Sequence, residues 1–261
     1  MAGVFTTVGT NHLTCEDFSY AGSDFAIVAD GCSSAKDSDW GSRFIVNTLR
    51  LYLLGNSLDD LTLDIFKPLP DLFSAMKLDP LGLCSTFLAV QKQEDHFTVA
   101  MMGDGCYFMR DKAGKTYYEL VEFETNAPFY PYYGLNAALS ELYFKDFEGK
   151  VNIEAVSSTV KDCNVVAKCD LKDYTKIKFF RYPVETTEAI FVMTDGIKSF
   201  YQIDKTDTYI TNRSLSYKEM LPKFTEGKND SFLKRSCSFE FKKLRKADIH
   251  NADDFSIRWV L

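Results

Sequence analysis

His96-Phe97-Thr98-Val99-Ala100-Met101-Met102-Gly103-Asp104-Gly105-Cys106-Tyr107-Phe108-Met109-Arg110 holds two apolar runs parted by three residues. Runs of this length bounded by a turn pair read as β-strands, here His96–Met102 and Cys106–Arg110. Upstream lies Leu83–Gln91 and downstream Thr116–Glu124, again short and alternating. The connections Asp104-Gly105 and Asp111-Lys112-Ala113-Gly114 are too short for a helical crossover. Antiparallel hairpins are therefore expected in place of βαβ units.

The same design occurs three times. Phe25–Ala29 runs into Asp30-Gly31, Val99–Met102 into Gly103-Asp104-Gly105, and Ala189–Thr194 into Asp195-Gly196. Each strand end delivers a carboxylate to the sheet rim, and Gly lets the backbone approach closely whatever the carboxylate holds. Asp-Gly is also a common hairpin turn, and a single copy carries no more than that reading. Three copies, joined by Glu16-Asp17 and Asp253-Asp254, lack an equal number of basic neighbours in sequence. Such clustering points to bound divalent metal.

Outward from these strands, Val4–Val8, Lys176–Tyr182 and Phe255–Leu261 also read as strands. Asp37–Leu54 carries apolar residues at helical spacing, with Asp37, Ser38 or Asp39 available as caps and Gly55 as a stop. Leu58–Met76 is a second helical stretch, interrupted by Pro68 and Pro70. Tyr217–Phe224 and Ser231–Lys246 complete the helices. Antiparallel strands with two interspersed helical pairs give an α+β fold, a layered sandwich of two antiparallel sheets flanked by helix pairs (α-β-β-α). Asn126–Asn136, rich in Pro and aromatics, either lines a groove or packs as a surface loop, and Asn152–Asp173 is a candidate lid.

Composition narrows the partners. At 261 residues without a linker-like tract, one domain over residues 1–261 is expected. A net charge of −7 argues against nucleic acid as partner. The basic stretch Lys234–Lys246 is interleaved with Phe239, Phe241 and Leu244, as on the solvated side of a helix. No apolar run reaches the ~18 residues of a membrane span, and the N-terminus lacks signal-peptide character. Seven cysteines without paired spacing read as reduced thiols of a cytoplasmic protein. The three histidines lack zinc-ligand spacing.

Convergence of Glu16, Asp30, Asp195 and Asp253 would form an all-oxygen donor set suited to Mg²⁺ or Mn²⁺. Four carboxylates exceed what one Mg²⁺ takes, so two ions sharing a bridging carboxylate are expected. Two ions ~3.5–4 Å apart hold a bridging water, lower its pKa and clamp a phosphoryl group for in-line attack. Phosphate-ester hydrolysis by metal-bridging hydroxide is the most economical chemistry, and neither a G-x-S-x-G nor a P-loop motif is present.

The order of Asn11–Asp17, Asp30-Gly31, Cys84-Ser85-Thr86, Gly103-Asp104-Gly105, Thr194-Asp195-Gly196 and Ala252-Asp253-Asp254-Phe255-Ser256-Ile257 resembles the metal-dependent type 2C Ser/Thr protein phosphatases, in particular their compact bacterial-type members. The resemblance runs from about residue 9 to residue 261 and implies hydrolysis of phosphoserine and phosphothreonine on proteins with two Mg²⁺ or Mn²⁺ ions. It implies Asp30 as the bridging ligand, Glu16 and the Gly31 carbonyl on one ion, and Asp195 and Asp253 on the other. Asp17 would orient the attacking water, Asp104 with Asp195 would match a third, weaker metal site, and Asp254 would stand behind the ligands.

Two positions depart from that family. His12 stands where an Arg usually contacts the phosphate, and imidazole is a weaker clamp than guanidinium. Cys32 stands where many members carry a His after Asp-Gly. Lys36 and Arg43 are candidates for the missing positive charge. Phosphoprotein substrates and a kinase or its targets are the expected partners, with no nucleic acid or membrane, and the chain is expected to be a monomer. The alternatives are a catalytically silent binding module and a two-metal hydrolase of small phosphate esters.

Overall fold

The computed structural model describes residues 3–123, 126–147, 154–155, 158–159, 167–168, 171–205, 210–225 and 233–261. Strands β1 (Gly3–Thr7), β2 (Phe18–Ala21) and β3 (Phe25–Ala29) precede helix α1 (Ser38–Leu53) and the short α2 (Leu69–Ala75). There follow β4 (Phe87–Lys92), β5 (His96–Met102), β6 (Gly105–Asp111), β7 (Thr116–Val121), α3 (Pro131–Leu135) and α4 (Ala137–Phe147). After two-residue strands β8 (Glu154–Ala155), β9 (Ser158–Thr159) and β10 (Ala167–Lys168) come β11 (Lys178–Pro183), β12 (Thr187–Met193), β13 (Phe200–Lys205) and β14 (Ile210–Ser214). Helices α5 (Tyr217–Thr225) and α6 (Leu233–Lys246) and strands β15 (Ile249–Asn251) and β16 (Phe255–Val260) close the chain.

Two antiparallel sheets form the sandwich, in orders β1-β16-β12-β6-β7-β9 and β11-β5-β4-β3-β2. We refer to them as the first and second sheet. Period-two patterning explains the layers. In β12, Ile190 and Val192 join the core shared with the second sheet, whereas Ala189, Phe191 and Met193 face the cluster containing Met220, Leu221 and Phe224 of α5 and Cys237, Phe241 and Leu244 of α6. Strand β3 is buried at every residue because the first sheet covers one face and α1 the other. Ile45, Val46, Leu49 and Leu53 of α1 supply that cover. The α-β-β-α sandwich is thus the observed fold.

A polar seam runs through the sandwich between β16 and β2. Arg258 is 3% exposed, and its guanidinium donates to Ser19 O of the facing sheet at 3.2 Å and to Ile257 O at 3.3 Å. Burial pulls its pKa down to about 9. Thr6 Oγ1 of the first sheet lies 2.8 Å from Ser19 Oγ of the second.

The main departure from the sequence-based expectation lies at His96–Arg110. Strand β5 pairs with β4 and β11 in the second sheet, whereas β6 pairs with β7 and β12 in the first. Gly103-Asp104 is therefore a crossing between sheets, not a hairpin. Gly103 (φ 91°) and Gly105 (φ 135°) take conformations that side-chain-bearing residues avoid, and a Cβ on either would strike Thr86 or Leu88. The β4–β5 and β6–β7 hairpins are as expected.

Smaller differences have local causes. Leu58–Met76 breaks into 3₁₀ turns at Leu58–Asp60 and Leu63–Phe66 before α2, the break falling at Pro68. Asp37 precedes α1 but does not cap it, because its carboxylate accepts from Asp79 N at 3.1 Å. Asn126–Asn136 contains α3 and buries Phe129, Tyr130 and Tyr132. Most of the lid candidate Asn152–Asp173 and the first two residues of Ser231–Lys246 lie outside the described residues.

Candidate active site

Strand register collects the acids at one rim. Phe18 pairs with Ala29 and Phe87 with Met102, so Asp17, Asp30 and Asp104 emerge together from the second sheet and its crossing. Met193 pairs with Cys106 and with Ile257, which brings Asp195 and the Asp253-Asp254 turn to the same end of the first sheet. Close backbone approach tightens this rim. A Cβ on Gly196 would run into the Asp254 carbonyl, and the Asp30 carbonyl accepts from Thr86 N at 2.9 Å and Ser85 Oγ at 2.7 Å.

Asp30 is the hub. Burial, and then repulsion from Asp17, Asp195, Asp253 and Asp104, hold its carboxyl well above the usual range. Asp17, 3% exposed, is raised by burial although Thr194 Oγ1 donates to its Oδ2 at 2.8 Å and Asp30 shares a further hydrogen bond with it. Burial and Asp195 push Asp104 up to about 8, and burial and Asp195 push Asp253 to about 6. Asp17 Oδ1 and Asp195 Oδ1 are buried with no hydrogen-bond partner. Crowded carboxylates with orphaned oxygens and raised pKa values are relieved by a divalent cation, so the donor chemistry fits Mg²⁺ or Mn²⁺. The fit lies in donor type and not in a closed cage: among the described residues, no three acids, histidines or cysteines stand in ligating geometry about one point.

The other expected residues sit around this hub. Gly31 forms an isolated bridge to Ser85 behind Asp30. Glu16 lies on the flank, where its Oε1 accepts from Ser38 Oγ at 2.7 Å. His12 is wedged among carboxylates, 3.2 Å from Asp253 Oδ1, 3.2 Å from Asp254 Oδ2 and 3.5 Å from Glu16 Oε2. Asp254 acts as a backbone brace, accepting from Gly9 N at 2.8 Å and Glu16 N at 2.6 Å. Cys32 approaches Ser34 Oγ at 3.1 Å. Cys15, Cys32, Cys84 and Cys106 are free thiols.

Asp30, Asp104, Asp195 and Asp253 open into a cavity of about 240 Å³ completed by Gly31, Cys32, Ser33, Ser34, Thr86, Asn126, Pro128 and Tyr130. The aromatic stretch thus contributes Tyr130 to the cavity wall. Neither candidate cation lines it: Lys36 is exposed, and Arg43 lies over the Phe18 ring and 3.8 Å from Asp39. Among the described residues, a cation beside Asp195 is Lys198, which the sequence did not mark. It follows Asp195 by three residues in a 3₁₀ turn, where side chains at that spacing eclipse. Its Nζ lies 2.8 Å from Glu122 Oε1 and 3.7 Å from Asp195 Oδ2. Thr194, Ser38 and Tyr130 had no individual role in the sequence reading, since their parts depend on contacts distant in sequence.

The sequence matches a family model described as Protein phosphatase 2C over residues 9–226. No curated protein matches it by sequence. Among solved structures it is similar to the serine/threonine phosphatase of S. agalactiae, at 14% identity and a TM-score of 0.57, covering 99% of this chain and 98% of that one. Serine/threonine phosphatase Stp1 from Staphylococcus aureus is similar at 11% identity and a TM-score of 0.56, over 99% of this chain and 93% of that one. The catalytic domain of the serine threonine protein phosphatase PstP, solved with 2 manganese ions, is similar at 12% identity and a TM-score of 0.54, over 99% and 96%. At such identities these likenesses establish the fold, and the family rests on the sequence model that spans most of the chain. The chain belongs to the protein phosphatase 2C family.

Proposed function

We propose that this chain is a Mg²⁺- or Mn²⁺-dependent phosphatase of phosphoserine and phosphothreonine in proteins, working as one catalytic domain over residues 1–261. The observation that carries the reading is Asp30 set among Asp17, Asp104, Asp195 and Asp253 at the head of a cavity, in a chain of this family. The serine/threonine phosphatases of the same fold, one of them holding two manganese ions, support it.

Asp30, Glu16 and the Gly31 carbonyl would hold one ion, and Asp30, Asp195 and Asp253 the other. Ions bound there would neutralise phosphoryl charge and acidify water. Asp17 is fixed by Thr194 so that its unpartnered Oδ1 can take a hydrogen bond from the attacking water. Asp254 keeps Glu16 in place through the Glu16 amide. His12 turns Nε2 toward Asp253 at 3.2 Å, while its buried Nδ1 has no hydrogen-bond partner, so it would serve as a positioning residue for Asp253 in place of a phosphate clamp. The mouth lined by Ser33, Ser34, Asn126 and Tyr130 offers hydrogen-bonding groups to a phosphorylated side chain. Its setting is cytoplasmic, opposite a kinase, with the chain acting as a monomer. Among the described residues no helix is long and apolar enough to cross a membrane.

The test is hydrolysis of an aryl phosphate and of phosphopeptides at pH 7–8 with Mn²⁺ or Mg²⁺, repeated with chelator and with Asp30→Asn and Asp195→Asn. Turnover that needs metal, favours phosphopeptides and falls at least about 100-fold in both variants supports the reading. Faster turnover of nucleotides than of phosphopeptides would move it to small esters. No turnover from folded, Mn²⁺-loaded protein would make it a silent binding module.

A further inference from the structure

Lys198 does not line the cavity, yet among the described residues it is the lysine embedded beside Asp195. Its side chain is 20% exposed, and Glu122, just past the end of β7, holds its Nζ at 2.8 Å. The ammonium then faces Asp195 Oδ2 at 3.7 Å, while Asp195 Oδ1 is buried with no hydrogen-bond partner. The two oxygens of one carboxylate therefore differ: one answers an internal cation and the other is open to a bound one. The charge of Lys198 also reaches Asp104, where it offsets the upward push of burial and of Asp195. Asp195 and the part-exposed Glu122 hold one ammonium between them, with the buried Asp104 close enough to feel its charge, so the lysine is the counter-ion of this flank.

Resting on the reading of the acids as a two-ion centre, we propose that the Lys198 ammonium is a built-in monovalent cation for the Asp104–Asp195 flank, so that the chain takes two divalent ions and none between Asp104 and Asp195. The physical reason is exclusion. Mg²⁺ requires oxygens at ~2.0–2.1 Å, and a divalent ion there would have to share Asp195 Oδ2 with an ammonium already facing it. Tethered in sequence and by Glu122, Lys198 is always at hand, whereas a free ion in that place would depend on its concentration. The Asp104 flank is then neutralised whatever the supply of metal.

The test counts bound Mn²⁺ by equilibrium dialysis and by its electron paramagnetic resonance signal, at pH 7.5 and up to several millimolar free ion. The expected counts are two for the natural chain, two for Asp104→Asn, and three for Lys198→Gln, the added ion the weakest. Lys198→Gln combined with Asp104→Asn should return to two, and Lys198→Arg should stay at two. Three ions in the natural chain, or loss of one in Asp104→Asn, overturns the proposal without needing the Lys198 variants to fold. A folded Lys198→Gln that still binds two overturns the role of Lys198 and leaves the two-ion centre standing. No Mn²⁺ bound by the natural chain overturns both.

Discussion

Thr194 Oγ1 donates a 2.8 Å hydrogen bond to Asp17 Oδ2, and the two residues extend strands of different sheets. The same hydroxyl oxygen accepts from Ser256 N at 3.0 Å, so a single side chain ties three segments at the acid-bearing rim. Thr194→Val keeps the shape and deletes both bonds, leaving the buried Ser256 amide unpaired and taking one donor from Asp17. A loss of about 1–3 kcal/mol in urea unfolding is expected, with Thr194→Ser restoring most of it. Equal stability of the Val variant would mean that the latch contributes nothing.

Repulsion among the acids sets a pH dependence for the metal-free protein. Burial and neighbouring carboxylates hold Asp104 up to about 8 and Asp253 to about 6, against an ordinary 3.8. The native state therefore keeps protons that the unfolded chain has released, and this stability is present below about pH 4 and lost as pH rises through 6 and then 8. In chelator, the melting temperature should fall across that window. Mn²⁺ at a hundred times its Kd adds about 2.7 kcal/mol and should lift the curve most at pH 8. A metal-free melting temperature flat from pH 4 to pH 8 would remove the repulsion argument.

A second ionic cluster, far in sequence from the acids, has the opposite sign. Asp59 accepts from His96 Nε2 at 2.9 Å, Thr98 Oγ1 at 2.8 Å, Arg181 Nε at 2.9 Å and Gln93 Nε2 at 3.0 Å. Burial pushes its pKa up, but the bonds from His96, Thr98 and Arg181 outweigh burial and bring it down to about 2. Its stability is present above pH 4 and lost as pH falls through 2. Asp59→Asn should cost about 1–3 kcal/mol at neutral pH and lose its effect toward pH 2. Unfolding titrations at both pH values check this.

Gly196 is a packing constraint on the site itself. A methyl group there meets the Asp254 carbonyl, so Gly196→Ala must part Asp195 from the Asp253-Asp254 turn. A cost of about 1–3 kcal/mol is expected, together with weaker Mn²⁺ binding by isothermal calorimetry. Gly55→Ala meets nothing within 4 Å and is the matched control.

What the sequence made legible follows from how local each feature is. The three apolar strands and their Asp-Gly ends were readable, since burial on both faces of β3 and β12 demands continuous hydrophobic runs. The crossing at Asp104 was not, because two strands three residues apart read alike whether they pair or part, and only the two glycines with positive φ mark the turn. Strand β2 is four half-buried residues, too short to show a period. Nor were α4 and the sheet β14-β13-β15 marked. Asp17, Asp30, Asp104, Asp195 and Asp253 were named from Asp-Gly strand ends, paired acids and the motif order that resembles the family, and the structure sets the other four about Asp30. The functions of Lys198 and Thr194 arise from partners such as Glu122, Asp17 and Ser256, distant in the chain, which no local pattern encodes.

The acids reach the rim from both leaves of the sandwich, Asp17 and Asp30 from one, Asp195 and Asp253 from the other, with Asp104 on the crossing between them. Ions held by such a set rivet the leaves together. Pulling the sheets apart then requires letting the ions go, so the lifetime of the folded chain, as distinct from its equilibrium stability, becomes tied to how long an ion stays bound. Loaded protein should outlast stripped protein under a protease by a margin that grows with the ion's residence time.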